Sequence, residues 1–266
     1  MTELKLLGTG NAQAINCYNT CFTLTNEQGT LLVDAGGGNQ ILKILDEEKI
    51  ALTDIKALFI THLHTDHILG VFWILRRIGE TMLKGGYEGN LKVYLHEEAK
   101  EFVLNCCSVM LTKKLNKLMD DRIEFITHKD GDVREIIGNK VTVYDIGSTK
   151  MKQFGFRMES SSFIFVNAGD EPLTEKNYHY AQDADFLTHE AFCLYDDRDI
   201  FKPYEKSHST AKDAAELAQK LNVKNLILYH TEDKTLASRK ERYTFEAKAY
   251  YSGNVFVPND REVIAL

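Results

Sequence analysis

Two rhythms of apolar and polar positions run along this chain. Residues 4–7, 20–24 and 30–34 are short apolar-rich runs separated by the turn-forming stretches Gly8-Thr9-Gly10-Asn11 and Asn26-Glu27-Gln28-Gly29, which predicts a β-meander. Past Gly36-Gly37-Gly38 the period lengthens, and Ile41, Leu42, Ile44 and Leu45 mark one face of a helix. The run 55–60 has the length of a strand, and 68–75 reads as a buried helix close behind it. Further strands are expected at 91–95, 123–127, 141–146, 154–158, 162–167, 185–188, 225–229 and 255–257, with helices over 97–119, 210–221 and 236–250. Strands in both halves with helices between them predict an α/β (α+β) chain of two sheets packed back to back, with helices outside. Three prolines and the lack of any linker or low-complexity stretch make residues 1–266 read as one domain.

Composition narrows the setting. At 266 residues and 44% hydrophobic, the chain can bury a large core. No run of eighteen apolar residues occurs, and Met1-Thr2-Glu3-Leu4-Lys5 lacks the charged start of a leader, so no membrane partner and a cytoplasmic location are expected. The five cysteines are odd in number and fit free thiols in a reducing compartment. A net charge of −7 argues against a generic nucleic-acid coat, and Lys113, Lys114 and Lys117, like Lys150 and Lys152, read as solvated faces. The glycines at 36–38 lack the spacing of a dinucleotide fingerprint, and close backbone approach is their expected role.

The chemistry concentrates in Thr61-His62-Leu63-His64-Thr65-Asp66-His67, in the turn between the strand at 55–60 and the helix behind it. On a chain leaving a strand, His62 and His64 point to the same side, while Asp66 and His67 follow the bend and face a second position. Imidazole with carboxylate suits a borderline divalent ion, so the stretch reads as a binuclear metal site.

In this order of elements, His62-x-His64-x-Asp66-His67 resembles the signature of the metallo-β-lactamase superfamily, whose fold is an αββα sandwich of two mixed sheets flanked by helices. Val33-Asp34-Ala35-Gly36 is similar to that family's strand end before the metal motif. Asn167-Ala168-Gly169-Asp170 looks like the segment of the bridging carboxylate, and Leu228-Tyr229-His230 like the last histidine ligand. Within the superfamily, Thr188-His189-Glu190-Ala191-Phe192, Ser207-His208-Ser209-Thr210-Ala211 and Phe154-Gly155-Phe156-Arg157 resemble ribonuclease Z and its phosphodiesterase relatives.

The resemblance implies a metal-dependent phosphodiesterase with the ligands His62, His64, Asp66, His67, Asp170 and His230, taking zinc first and manganese or iron as alternatives. It implies that His208, oriented by Glu190, protonates the leaving oxygen. Asp66 would be both a ligand and an acceptor for the proton of the metal-activated water. A small-molecule or nucleotide phosphodiester is the expected substrate, and homodimers are among the expected assemblies.

Two departures qualify it. The family places another histidine ligand where this chain has Gly147-Ser148-Thr149-Lys150-Met151-Lys152, so the first of two metal sites, His62 with His64 and Asp170, should be the weaker. Water or substrate could fill the gap, His96 or His128 could reach in from their expected surface positions, or only the second site could bind firmly. Among the thirty-seven residues between Asp170 and His208 the charged ones are mostly acidic and offer no basic arm, which disfavours transfer RNA. The rival readings are a non-hydrolytic iron–oxygen sensor or redox protein, against which His64 stands where such members carry glutamate, and a lactone or thioester hydrolase.

Overall fold

The computed structural model describes residues 2–266; Met1, the first residue of the expected 1–266 domain, lies outside them. In the first half of the chain come β1 (Glu3–Gly8), β2 (Cys21–Asn26), β3 (Gly29–Val33), α1 (Gln40–Glu47), β4 (Ile55–Phe59), α2 (Thr65–Leu83), β5 (Leu91–Leu95), α3 (Glu97–Met110), α4 (Lys113–Asn116) and β6 (Ile123–Thr127). The second half supplies β7 (Val133–Ile136), β8 (Asn139–Asp145), β9 (Phe154–Glu159), β10 (Ile164–Asn167), α5 (Tyr178–Ala181), β11 (Phe186–Glu190), α6 (Arg198–Phe201), α7 (Ala211–Lys220), β12 (Asn225–Tyr229), α8 (Leu236–Lys248), β13 (Asn254–Phe256) and β14 (Val263–Ala265).

These strands form two seven-stranded sheets, ordered β14-β1-β2-β3-β4-β5-β6 and β13-β12-β11-β10-β9-β8-β7. The expected meander is present, with β1, β2 and β3 antiparallel, while β3 to β6 run parallel. The second sheet changes in the same way, from antiparallel β7 to β10 to parallel β10 to β13. Parallel neighbours need crossovers, and these are the helices, which cover the outer faces. On α2 the stripe Ile68, Val71, Leu75, Ile78 and Met82 is buried at helical spacing, and a Cβ on Gly70 would overlap the Ala35 carbonyl, so glycine lets the helix lie against the loop after β3. Between the sheets an aromatic layer interlocks: Phe59 meets Phe156 at 5.1 Å and Phe22 meets Phe165 at 6.0 Å between ring centroids.

The fold is the expected sandwich, with local differences. The helix expected over 97–119 breaks at Leu111, because Thr112 caps a new turn by accepting from the Leu115 N–H. The edge strands β7 and β14 carry no apolar alternation long enough to announce them. All five cysteines are free. Among the described residues, no helix is long and apolar enough to cross a membrane.

His96 and His128 are not surface residues, as the sequence suggested, but are 2% and 3% exposed. The pairing of Leu95 with Thr127 sets them side by side at the ends of β5 and β6, packed on Phe154, with His128 stacked on Phe59 at 5.3 Å. Aromatic packing can bury an imidazole as it would a phenyl ring, provided the imidazole stays neutral. Burial accordingly pushes His128 down from 6.5 to about 3. Between those values the unfolded chain binds the additional proton, so this residue makes stability fall as pH drops below about 6.5, by at most about 1.4 kcal/mol per pH unit. His128→Phe should flatten that slope in urea titrations of EDTA-treated protein between about pH 7 and pH 5; an unchanged slope would place the acid sensitivity elsewhere.

Candidate metal centre

Five strand ends meet at one edge of the sandwich. β3 delivers Asp34, β4 delivers Thr61, His62 and His64, β10 leads to Asp170, β11 ends in Glu190 and β12 leads to His230. All five strands have a parallel neighbour and present their carboxyl ends here, the usual place for a ligand on such sheets. The helix α2 starts inside the histidine motif, so Asp66 and His67 occupy its first turn. Asn167 aims Asp170 by donating to the Tyr229 hydroxyl at 3.1 Å and accepting from the Gly169 N–H at 3.1 Å. Both Asp34 and His230 hold a left-handed backbone, φ 54°, at a cost of roughly 1–3 kcal/mol each, a strain found where geometry is functional.

Asp66, His67 and His230 form a three-donor cage, and Asp170 borders it. Asp66 Oδ2 lies 3.4 Å from His67 Nε2 and 3.5 Å from His230 Nε2; Asp170 Oδ1 lies 3.8 Å and 2.8 Å from the same two nitrogens. A tetrahedral ion with bonds of ~2.1 Å separates its ligands by roughly 3.4 Å, which these edges bracket. Each of the four atoms is buried without a hydrogen-bond partner, an arrangement that a cation resolves. On the other side of Asp170, Oδ2 lies 3.6 Å from His62 Nε2, which in turn is 2.8 Å from His64 Nδ1. Asp170 thus offers one oxygen to each side, and the donor set fits divalent metal.

The tautomers follow from one carboxylate. Asp34 accepts from the Thr61 N–H at 2.9 Å, from the Thr61 hydroxyl at 2.6 Å and from His67 Nδ1 at 2.8 Å. When neutral, His67 therefore carries its lone pair on Nε2, inside the cage. Since the Thr61 proton goes to Asp34, His62 Nδ1 donates to the Thr61 oxygen at 2.9 Å, and His62 also keeps its lone pair on Nε2. Burial lowers the His230 imidazole, but the Asp170 and Asp66 carboxylates outweigh it and raise this group to about 9. Burial likewise works against the charged forms of Asp66 and Asp170, yet the surrounding imidazoles hold both carboxyls below their usual range. Two ionised carboxylates attract positive charge to this point, and an arriving ion would displace protons from the histidines.

Beside the cage lies a cavity of about 520 Å3. His208 reaches it, stacked on Phe192 at 4.9 Å between centroids and with Nδ1 3.5 Å from Glu190 Oε2. Glu190 is fully buried and held by the Ser209 N–H at 2.6 Å. Lys150 and Lys206 stand at the rim, the Lys150 ammonium donating to the Lys206 carbonyl across it.

All eight residues singled out from the sequence, His62, His64, Asp66, His67, Asp170, Glu190, His208 and His230, come together at this edge. Neither His96 nor His128 joins a ligand cluster, so among the described residues no histidine fills the gap near Ser148. Sequence reasoning missed the roles of Thr61, Phe192 and Lys150. For Asp34 a signal was present, an acid closing an apolar strand ahead of glycines.

Comparison with known proteins places this geometry. The family model described as anti-Pycsar protein Apyc1 matches residues 2–249. Ribonuclease Z of Listeria monocytogenes is 27% identical over 298 aligned positions, covering 94% of each chain. The metallo-β-lactamase fold protein YhfI from Bacillus subtilis superposes with a TM-score of 0.80 at 18% identity, covering 99% of this chain and 98% of its own. The short form of human tRNase Z gives 0.76 at 20% identity, with the same coverage. The fold is thus the metallo-β-lactamase sandwich.

Removing the carboxylate that orients His67 should weaken metal binding with no ligand changed. Asp34→Ala is expected to lower affinity for zinc by about 10–100-fold in a competition titration with a chromophoric chelator. Wild-type affinity in that variant would show that the cage orients itself.

Proposed function

We propose, from the premise that this chain belongs to the anti-Pycsar protein Apyc1 family, that it hydrolyses a small phosphodiester of nucleotide size. It is a metal-dependent hydrolase with the metallo-β-lactamase fold, related to ribonuclease Z. The observation that carries the finer reading is the convergence, on one cavity, of four orphaned buried donors and an imidazole–carboxylate pair.

Divalent ions, zinc first with manganese or iron as alternatives, would supply a water activated near neutral pH and charge to offset the non-bridging oxygens of a phosphate. Everything else falls to the chain. Its ligands are His62, His64, Asp66, His67, Asp170 and His230, and Asp66 also accepts the proton of the attacking water. His208 gives a proton to the leaving oxygen, since an alkoxide leaves poorly without one and imidazole titrates near neutrality. Glu190 positions that ring from below. Lys150 and Lys206 attract the anionic diester at the rim.

Size supports a small substrate. A cavity of about 520 Å3 suits a ligand of nucleotide dimensions. Residues 171–207 fold into β11 with the short helices α5 and α6, and no long basic arm stands among them to grip transfer RNA. We place the reaction in the cytoplasm.

The test offers the protein an aryl phosphodiester, cyclic and linear nucleotide diesters, a precursor transfer RNA and a lactone at equal metal loading. Preferential turnover of the small diesters is expected; turnover of the lactone alone would overturn the reading. His67→Ala and His230→Ala should abolish activity. His208→Ala should lower kcat by about 100–10,000-fold with metal content unchanged. Loss of metal in that variant would instead make His208 a ligand, because its ring lies within reach of Asp170 and His230.

A further inference from the structure

We infer that Asn11 reads the nucleoside part of the substrate: its side-chain amide nitrogen donates a hydrogen bond to an oxygen acceptor of the sugar or base that the phosphodiester carries. The inference rests on the phosphodiesterase reading of the site, and its test separates the two.

The loop between β1 and β2, residues 9–20, forms one wall of the cavity through Asn11, Ala12 and Gln13. Two carboxylates hold this wall in place. Asp233 accepts from the Ile15 N–H at 2.7 Å, the Asn16 N–H at 2.7 Å and Asn16 Nδ2 at 3.0 Å. Asp260 accepts from the Tyr18 N–H at 2.6 Å and the Thr9 hydroxyl at 2.7 Å. Carboxylate acceptors make strong hydrogen bonds, so the wall is set before a substrate arrives.

Asn11 is fixed at every polar atom but one. Its N–H donates to the Thr231 carbonyl at 2.9 Å, and its own carbonyl accepts from the Ala14 N–H at 3.1 Å and from Asn19 Nδ2 at 2.8 Å. Its Oδ1 accepts from the Gln13 N–H at 2.9 Å, which decides the orientation of the amide, since a flipped side chain would set two donors against each other. Nδ2 is what remains. Among the described residues no acceptor takes it, although Asn11 is only 4% exposed; the atom is not sealed in the interior but open to the cavity that Asn11 lines. Its distance from the metal centre is set as well. Thr231 directly follows His230, its N–H donates to the Thr9 carbonyl at 3.0 Å, and the fully buried Arg239 holds its hydroxyl at 2.8 Å.

The donors of the cavity thus divide by charge. Lys150 and Lys206 are cations at the rim and suit the phosphate, whereas Asn11 is neutral and suits the carbonyl and hydroxyl oxygens of a nucleoside. Gln13, the other amide on this wall, is exposed. A donor already held in place binds without the cost of ordering it. It also rejects an analogue that lacks the acceptor, because the amide is then desolvated without a partner.

The experiment compares two diesters of equal charge and leaving group, the 4-nitrophenyl ester of thymidine 5′-phosphate and 4-nitrophenyl phenyl phosphate. Asn11→Asp keeps an oxygen for the Gln13 N–H but replaces the donor with an acceptor, and Asn11→Ser keeps a neutral oxygen there. The ratio of kcat/KM, nucleoside ester over phenyl ester, should fall by about threefold or more in the serine variant and about tenfold or more in the aspartate variant. Calorimetric binding of thymidine 5′-phosphate relative to phenyl phosphate should fall likewise, with no turnover involved. Deoxyribose 5-phosphate separates the two sources: a loss that it shares assigns the acceptor to the sugar, and a loss confined to thymidine 5′-phosphate assigns it to the base. Unchanged ratios, whether both esters weaken together or neither does, would overturn the role of Asn11 and leave the hydrolase reading intact. Turnover of neither ester by the unmodified protein would overturn the hydrolase reading, and the binding ratio would still decide the role of Asn11.

Discussion

One buried carboxylate, that of Asp34, holds the site in register. It gathers three donors, two from Thr61 and one from His67, and thereby ties the end of β3 to the end of β4 and the first turn of α2. Taking a carboxylate out of water costs several kcal/mol, and only a full complement of hydrogen bonds makes such burial tolerable. That requirement works backwards along the chain. Thr61 and His67 satisfy Asp34 in one arrangement, Thr61 in turn orients His62, and that arrangement directs the Nε2 atoms of both imidazoles toward the place where Asp170 arrives from the opposite sheet.

The arrival of Asp170 and His230 is a matter of packing between sheets. Phe22, Phe59, Phe156, Phe165 and Tyr229 lock the inner faces together, so the carboxyl ends of the parallel strands in both sheets open on the same edge. A site assembled in this way has no continuous sequence motif. It has one motif from the first sheet and single residues from the second, each at the end of an apolar strand.

This explains what could be read from the chain in advance. Strand ends and helix stripes are local patterns, and they carried the two-sheet sandwich and the histidine–aspartate motif at 62–67 into view, whereas Asp170 and His230 stood out only through the family resemblance. What lay hidden depended on distant neighbours. His96 and His128 sit in polar surroundings in the sequence, beside Glu97 and Lys129, yet Phe59 and Phe154 enclose them in space. Phe192 reads as one more apolar residue until α7, capped by the Thr210–Asp213 box, fixes His208 over its ring. Similarly, nothing local distinguishes Lys150 from a solvated loop lysine; its position at the rim is set by where the loop after β8 meets the loop before α7.

The lysine rim also bears on how far away a substrate can be recognised. The whole chain carries −7, whereas Lys150, Lys206 and the positive end of α2 face the cavity. Between charges in physiological salt, influence fades over about 8 Å. A compact anion feels attraction once it is within that range, because every charge it has is then near the rim. A long polyanion delivers one phosphate to the rim while its others extend over a chain whose net charge is −7. For a phosphodiester substrate, such an arrangement would act as a filter on the length of the charged molecule, independent of the shape of the cavity and of its chemistry.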